Sequence, residues 1–299
     1  MTEKILEINH LYKQYGRIKA VQDLSLDINS GTVFGLLGPN GSGKTTTLGI
    51  IMDVIRKTSG DFLWFGAPSG NNSRKKIGAI LEAPSFYPYL SATDNLKIVA
   101  QIKEVSYDRV DIVLEKVGLA YRKKDLFQTY SLGMKQRLAI ASALLSDPYV
   151  LVLDEPTNGL DPQGIADVRQ LIINISAEGK TIILASHLLD EVQKVCTHFA
   201  VLNKGKALYS GSVEDALANK ETIEVSAPDH SKLETILRQY EYLKDIQVTP
   251  HKIIVKMSDN KTAYDLNAFM VNNGIIVSHL VTEQKNLEEQ FLEILSQSK

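Results

Sequence analysis

The sequence predicts an α/β fold with a parallel core sheet, and two observations support this prediction. Short apolar runs rich in branched residues occur at residues 32–38, Tyr149–Leu153 and Thr181–Ala185, each followed by turn or polar residues. Runs of this kind are typical of buried strands in a parallel sheet. Patterns typical of helices separate them, so strands and helices alternate along the chain.

Composition narrows the possible functions. Of the 299 residues, 44% are apolar, which is enough for a packed core. The formal net charge is only −2, so nothing favours nucleic acid as a partner. The single cysteine, Cys196, excludes an internal disulfide framework, and no Cys/His spacing indicates a zinc site. No secretion signal and no apolar run of about 20 residues is present, so we expect a soluble chain with no direct membrane span.

The first half of the chain contains two further patterns. Residues 5–16 and 20–31 alternate between apolar and polar residues, which predicts an antiparallel N-terminal β subdomain. A helical insert is predicted at about residues 83–145. Within it, Ser91 and Asp94 form a helix-capping pattern, and Gly118 is expected to end a second helix.

The composition changes near Asn219. From Thr222 onward the pattern reads strand, helix, strand, strand, helix, strand and helix, which resembles a split β-α-β-β-α-β unit. We therefore predict one domain over residues 1–219 and a small α+β domain over residues 220–299, with a ferredoxin-like fold as the expected topology. The second domain matches no catalytic pattern.

A glycine-rich stretch follows the apolar strand at residues 32–38 and has the form G-x-x-x-x-G-K-[ST]. Its glycines let backbone N–H groups turn onto phosphate oxygens, its lysine neutralises phosphate charge, and its threonine offers a hydroxyl to Mg²⁺. A chance match is the alternative, but the strand-turn-helix context favours a phosphate loop. The predicted binding residues are Gly38, Pro39, Asn40, Gly41, Ser42, Gly43, Lys44, Thr45 and Thr46.

Two acids end the apolar run at residues 149–153. Asp154 would reach a magnesium ion directly or through water, and Glu155 would orient or deprotonate the attacking water. The alternative is a pair of acids that caps a helix N-terminus. A phosphate loop upstream favours the metal and catalytic roles, with Lys44 as a further catalytic residue.

Four motifs then indicate a family: YSLGMKQR, LDEP, NGLD and ASH. In this combination and order they resemble the nucleotide-binding cassette of ABC ATPases, which are P-loop NTPases, over roughly residues 5–212. The family signature L-S-G-G-Q aligns with residues 130–134, its D-loop with Asn158–Asp161, and its switch histidine with His187. The chain contains no N-K-x-D motif for guanine. The resemblance thus implies ATP and Mg²⁺ as ligands.

The resemblance also implies individual roles. Tyr15 would stack on the base, although a core tyrosine is the alternative, and His187 would contact the γ-phosphate, although a structural histidine is the alternative. In this family two cassettes pack head to tail around ATP. Ser131 and Gly133 of the signature would therefore meet the γ-phosphate of nucleotide held by a second cassette, and Asp161 of the D-loop is a further expected nucleotide-binding residue.

The chain departs from the family pattern at three positions. Glu82 replaces a usual glutamine, and we expect it to bind magnesium. Leu132 and Met134 replace a glycine and a glutamine of the signature, which puts the tightness of dimer closure in doubt. With the motifs EAP and YSLGM, the chain resembles the bacterial subgroup that exports peptide antibiotics such as bacitracin and lantibiotics.

Residues 86–90 supply an aromatic patch suited to docking a membrane subunit, with a packed loop as the alternative. The sequence thus predicts an ATP-hydrolysing subunit of an ABC transporter, cytoplasmic and bound to the inner face of the cell membrane through a separate transmembrane permease. The second cassette would be another copy or a sister subunit. The rival predictions are a soluble ABC ATPase of translation or DNA repair and a regulatory module without ATPase activity.

Overall fold

A computed structural model describes residues 3–81, 85–218, 221–258, 261–284 and 291. The chain divides into two compact units, of which the first ends at Ser212 and the second begins at Val213. The predicted domain boundary, between residues 219 and 220, and the predicted metal ligand Glu82 lie outside the described residues.

The first unit contains the predicted strands and helices together with elements that the sequence did not predict. Its elements are β1 (Lys4–Tyr15), β2 (Ile18–Asn29), β3 (Val33–Leu37), α1 (Lys44–Ile51), β4 (Ser59–Trp64), β5 (Ala67–Pro68), α2 (Asn71–Arg74), β6 (Ile77–Ile80), α3 (Ala92–Ile102), α4 (Asp108–Lys116), α5 (Leu132–Leu144), β7 (Val150–Asp154), α6 (Pro162–Ala177), β8 (Thr181–Ser186), α7 (Leu189–Val195), β9 (His198–Asn203) and β10 (Lys206–Ser212).

An antiparallel sheet forms the N-terminal part, with strand order β2-β1-β4-β5. Alternating residues of β1 and β2 are buried, including Leu6, Ile8, Leu26 and Ile28, because a strand directs successive side chains to opposite faces. A tight turn joins the two strands at Gly16, whose φ of +56° favours glycine. The structure therefore has the antiparallel subdomain that the alternating pattern predicts.

The central sheet has the strand order β10-β9-β3-β8-β7-β6 and is parallel except for the edge strand β10. Strands β3, β7 and β8 are buried along their whole length, which explains their unbroken apolar sequences. The prediction of a parallel α/β core is confirmed. Because the strands are parallel, the segments that follow β3, β7 and β8 all lie at one edge of the sheet.

Helices α3, α4 and α5 form the helical insert, and their ends follow from side chains and glycines. The Ser91 hydroxyl caps α3 by accepting from the Asp94 N–H at 3.0 Å. After α4, Gly118 adopts a φ of +66° and the Leu119 N–H donates to the Leu114 carbonyl, which is the Schellman arrangement. Both predicted helix boundaries are therefore present.

The second unit contains α8 (Val213–Ala218), β11 (Glu221–Ser226), α9 (His230–Leu237), β12 (Leu243–Val248), β13 (Ile253–Met257), α10 (Ala263–Asn272) and β14 (His279–Gln284). Its antiparallel sheet has the order β12-β13-β11-β14, and from β11 to β14 the elements follow the β-α-β-β-α-β sequence. Side chains such as Val225, Val255, Leu233 and Leu266 form its core. In the described part of both units, no helix is long and apolar enough to cross a bilayer.

Candidate functional site

The glycine-rich loop lies between β3 and α1, at the edge where the parallel strands end. Gly38 must lack a side chain because a Cβ there would lie 2.3 Å from the Leu202 carbonyl oxygen of the neighbouring strand β9. Gly43 precedes α1 with a φ of +106°, and a Cβ there would lie 2.5 Å from the Ala20 carbonyl oxygen. The close packing of neighbouring backbone thus requires the two glycines that define the motif.

Lys44 begins α1 and directs its ammonium group back across the loop. Its side chain is 5% exposed, and Nζ donates to the Gly38 carbonyl at 2.7 Å. Nζ also lies 3.3 Å from Oε1 of Glu155. The loop therefore holds a buried positive charge beside the backbone N–H groups that open α1, which is an arrangement suited to phosphate oxygens.

Ser42 lies within the same loop and is 2% exposed. Its hydroxyl makes no hydrogen bond to any part of the chain that the structure describes. A buried hydroxyl without a partner costs free energy, so a ligand that accepts or donates at this point would be stabilising. Together with the glycine-lined backbone, this hydroxyl fits a polyphosphate.

The two acids occupy different positions at the end of β7. Asp154 is the last residue of the strand and is buried, and the next helix along the chain, α6, begins only at Pro162 with Asp161 as its N-cap. The alternative of an acid pair that caps a helix is therefore wrong. Glu155 follows in the left-handed region, at a φ of +47°, and its N–H donates to the Ala185 carbonyl of β8.

The Glu155 carboxylate connects the phosphate loop to β8. Oε1 faces Lys44, and Oε2 lies 2.8 Å from Nδ1 of His187, the residue directly after β8. The His187 side chain is 36% exposed, and its Nδ1 contacts this carboxylate. It is therefore not a structural histidine buried in the core. The structure brings the three predicted catalytic residues, Lys44, Glu155 and His187, into one chain of contacts.

These residues line a cleft of about 470 Å³. Tyr15, Asn40, Gly41, Ser42, Gly43, Lys44, Thr45, Thr46, Glu155 and His187 were predicted, and all of them line it. Four further residues line the cleft for which the sequence motifs predicted no binding role: Ile18, Lys19, Ala20 and Asn158. Asn158 could have been found, since it begins the NGLD motif, whereas residues 18–20 carry no motif.

Tyr15 lies at the rim of this cleft, at the end of β1. Its side chain is 45% exposed, which contradicts the alternative of a core tyrosine. The Lys13 ammonium lies 4.4 Å from the ring centroid, so a cation occupies one face of the ring. An exposed aromatic ring at a cleft rim can stack on a planar ligand such as a nucleotide base.

Ser131, Gly133 and Asp161 do not line the cleft. Ser131 is the exposed N-cap of α5, and Asp161 caps α6 by accepting from the Gly164 N–H at 3.0 Å. The two helix starts adjoin, because a Cβ added at Gly133 would lie 3.8 Å from Cα of Gly164. The three residues thus form a second, separate group, which we call the signature surface.

The aromatic residues at the start of the insert differ in their exposure. Phe86 packs edge-on against Phe127 at 5.2 Å, whereas the side chains of Tyr87 and Tyr89 are 49% and 65% exposed. The Tyr87 backbone is fixed, since its N–H donates to the buried Asn95 side chain at 2.8 Å. Both expectations are met in part, because the loop is packed at Phe86 and offers free aromatic surface at the tyrosines.

Sequence comparison identifies relatives along the whole chain. The family model described as ABC transporter matches residues 21–158. The bacitracin transport ATP-binding protein BcrA of Bacillus licheniformis is 37% identical over 297 residues, covering 97% of this chain and 97% of that protein. The lantibiotic transport ATP-binding protein SrtF of Streptococcus pyogenes is 41% identical over 212 residues, covering 70% of this chain and 93% of that protein.

Solved structures give the same result. The structure of cbiO1 from Clostridium perfringens, described as part of the ABC transporter complex cbiONQ, matches with a TM-score of 0.66 and 27% identity, covering 80% of this chain and 96% of that one. A structure described as the ATP-binding subunit of an ABC transporter matches with a TM-score of 0.63 and 27% identity, over 71% and 91% of the two chains. With its phosphate-loop cleft and its relatives over nearly the full length, this chain belongs to the ATP-binding subunits of the ABC transporter family, which are ATPases.

Proposed function

We propose that this chain hydrolyses ATP at the cleft of Lys44, Glu155 and His187 and thereby powers export through a separate permease. The observation that carries the proposal is the Glu155 carboxylate, held between the Lys44 ammonium at 3.3 Å and the His187 ring at 2.8 Å. A carboxylate fixed at the mouth of a phosphate loop is suited to accept a proton from a water molecule.

The other residues of the cleft would bind and orient the nucleotide. Lys44 and the N–H groups of the loop would neutralise the phosphates, Tyr15 would hold the base, and His187 would donate a hydrogen bond to the terminal phosphate. When bound, Mg²⁺ neutralises phosphate charge, and the hydroxyl of Thr45 and the carboxylate of Asp154 are oxygen ligands of the kind that it prefers. Glu82 remains a proposed third ligand.

A second cassette is needed to complete each site. Ser131, Gly133 and Asp161 lie on a surface apart from the cleft, although their sequence motifs match nucleotide-binding motifs of the family. A head-to-tail pair would bring the signature surface of one chain to the cleft of the other. The positive end of helix α5, exposed at Ser131, would then face a phosphate group.

The relatives support a permease partner and export as parts of this proposal. Two of them carry names of bacitracin and lantibiotic transport, and they match this chain at 37% and 41% identity. We propose that Tyr87 and Tyr89 form part of the surface that contacts the permease, which would place the chain on the cytoplasmic face of the membrane. Copurification from detergent-solubilised membranes with a multispan protein tests this partner.

Phosphate release from ATP by the purified full-length chain tests the proposed activity. We expect Lys44→Ala to lower Mg²⁺-dependent hydrolysis by at least about 100-fold, because a buried cation that neutralises phosphate charge is lost. Lys232→Ala removes an exposed lysine of the second unit and serves as the control. Equal rates for the two variants would refute the proposed site.

A further inference from the structure

A buried carboxylate outside the cleft holds the segment that carries His187. Glu191 lies in the first turn of α7 and is 5% exposed. Its Oε2 accepts a hydrogen bond from the hydroxyl of Ser186 at 2.9 Å. The same hydroxyl accepts the N–H of Leu188 at 3.0 Å. One carboxylate thus fixes, through one hydroxyl, the residues on both sides of His187.

This arrangement is poorly explained by stability alone. Ser186 is fully buried, and the second oxygen of Glu191, Oε1, has no hydrogen-bond partner in the described chain. No cation lies within 4.0 Å of this carboxylate among the described residues, whereas the buried Glu224 of the second unit pairs with Lys252. Burying an unpaired carboxylate is costly, and an apolar side chain would cost less. Costly polar groups of this kind are expected where function requires them.

The position of His187 leaves little room for movement. Its Nδ1 lies 2.8 Å from Oε2 of Glu155, and hydrogen bonds to nitrogen weaken beyond about 3.2 Å. A backbone shift of about half an ångström would therefore weaken the contact. Misplacements of about 1 Å in catalytic groups can lower rates by about 100-fold.

We infer that Glu191 is a positioning residue for ATP hydrolysis, which holds His187 against Glu155 through the hydroxyl of Ser186. The inference rests on the proposed function of the cleft and extends it to a residue that does not line it. Glu191 does not line the cleft and would act on it through the segment 186–188.

A double-mutant cycle on the full-length chain tests this inference, with steady-state ATP hydrolysis as the readout. We expect Glu191→Ala to lower kcat by about 10-fold to 100-fold while KM for ATP changes by about twofold or less. Combined with His187→Ala, it should add no further loss, because both changes remove the same contact. Losses that multiply in the double variant would overturn the inference.

Two further variants separate positioning from stability. Glu191→Gln keeps an oxygen that accepts the Ser186 hydroxyl, so it should restore most of the rate; a loss as large as that of Glu191→Ala would contradict the inference. Glu224→Ala removes a buried carboxylate of the second unit and should lower stability without lowering kcat of the folded protein. If Glu191→Ala does not fold, Ser186→Ala must show the same coupling to His187→Ala.

A measurement without turnover keeps the inference separate from the proposed function. If the wild-type chain shows no Lys44-dependent hydrolysis, the proposed function fails. The ¹⁵N resonances of the His187 ring then still test whether Glu191 positions this ring. Glu191→Ala should move the Nδ1 resonance toward its position in Glu155→Ala. An unchanged resonance would overturn the inference.

Discussion

Truncation of Tyr15 to alanine tests whether the rim of the cleft holds the base. The ring is 45% exposed, and Lys13 occupies only one of its faces, at 4.4 Å from the centroid. Stacking of two aromatic rings contributes about 0.5 to 1.5 kcal/mol. Since about 1.4 kcal/mol corresponds to a factor of ten, we expect Kd for ATP to rise by roughly 2-fold to 12-fold.

The assay is titration calorimetry of the full-length chain with ATP, and Tyr12 supplies a matched control. Tyr12 lies on the same strand, is 39% exposed and does not line the cleft. Tyr12→Ala should leave Kd unchanged, and Tyr15→Phe should retain the wild-type Kd because the ring is kept. GTP should lose about as much affinity as ATP, since stacking tolerates either base. An unchanged Kd in Tyr15→Ala, or an equal loss in Tyr15→Phe, would refute the stacking role.

Two further changes test the packing of the loop and the charge within the insert. Gly38→Ala places a Cβ 2.3 Å from the Leu202 carbonyl oxygen, so chemical denaturation should show a loss of about 1 to 3 kcal/mol, whereas Gly70→Ala, with open space around it, should cost far less. Burial lowers the pKa of Lys103 to about 8 from an ordinary 10.5. The native state therefore loses the Lys103 proton at a lower pH than the unfolded state does, and the free energy of unfolding rises with pH between these two values. Urea denaturation at pH 7.5 and pH 10 should show a gain of about 2 kcal/mol relative to Lys103→Met, and equal pH dependence of the two proteins would contradict this sign.

The catalytic constellation could be predicted from the sequence because each of its residues follows an unbroken apolar strand. Lys44 follows β3, Glu155 follows β7 and His187 follows β8, and parallel strands place their carboxyl ends at one edge. The family motifs then indicated which of these residues to single out. The strand order and the contact distances could not be predicted, since the residues of one strand do not indicate which strands lie beside it.

Other parts of the site and the fold had no signal of this kind. Ala20 lines the cleft and restricts Gly43 through its backbone, and backbone contacts leave no trace in residue type. The four-residue strand β6 is too short to show a period, and Gly60 and Asp61 interrupt the apolar pattern of β4. Glu191 resembles an ordinary acid in the first turn of a helix, and only its burial and its bond to Ser186 mark it.

ATP hydrolysis and ATP-dependent dimerisation of Glu155→Gln test whether Glu155 accepts the proton of the attacking water. The amide keeps the shape of the carboxylate but cannot accept a proton, so hydrolysis should fall by at least about 100-fold while Kd for ATP stays within about twofold. Light scattering after size exclusion should show a stable dimer with ATP and a monomer without it. Glu178→Gln, on an exposed residue that pairs with Lys116, is the control. Wild-type turnover in Glu155→Gln would exclude Glu155 as the proton acceptor.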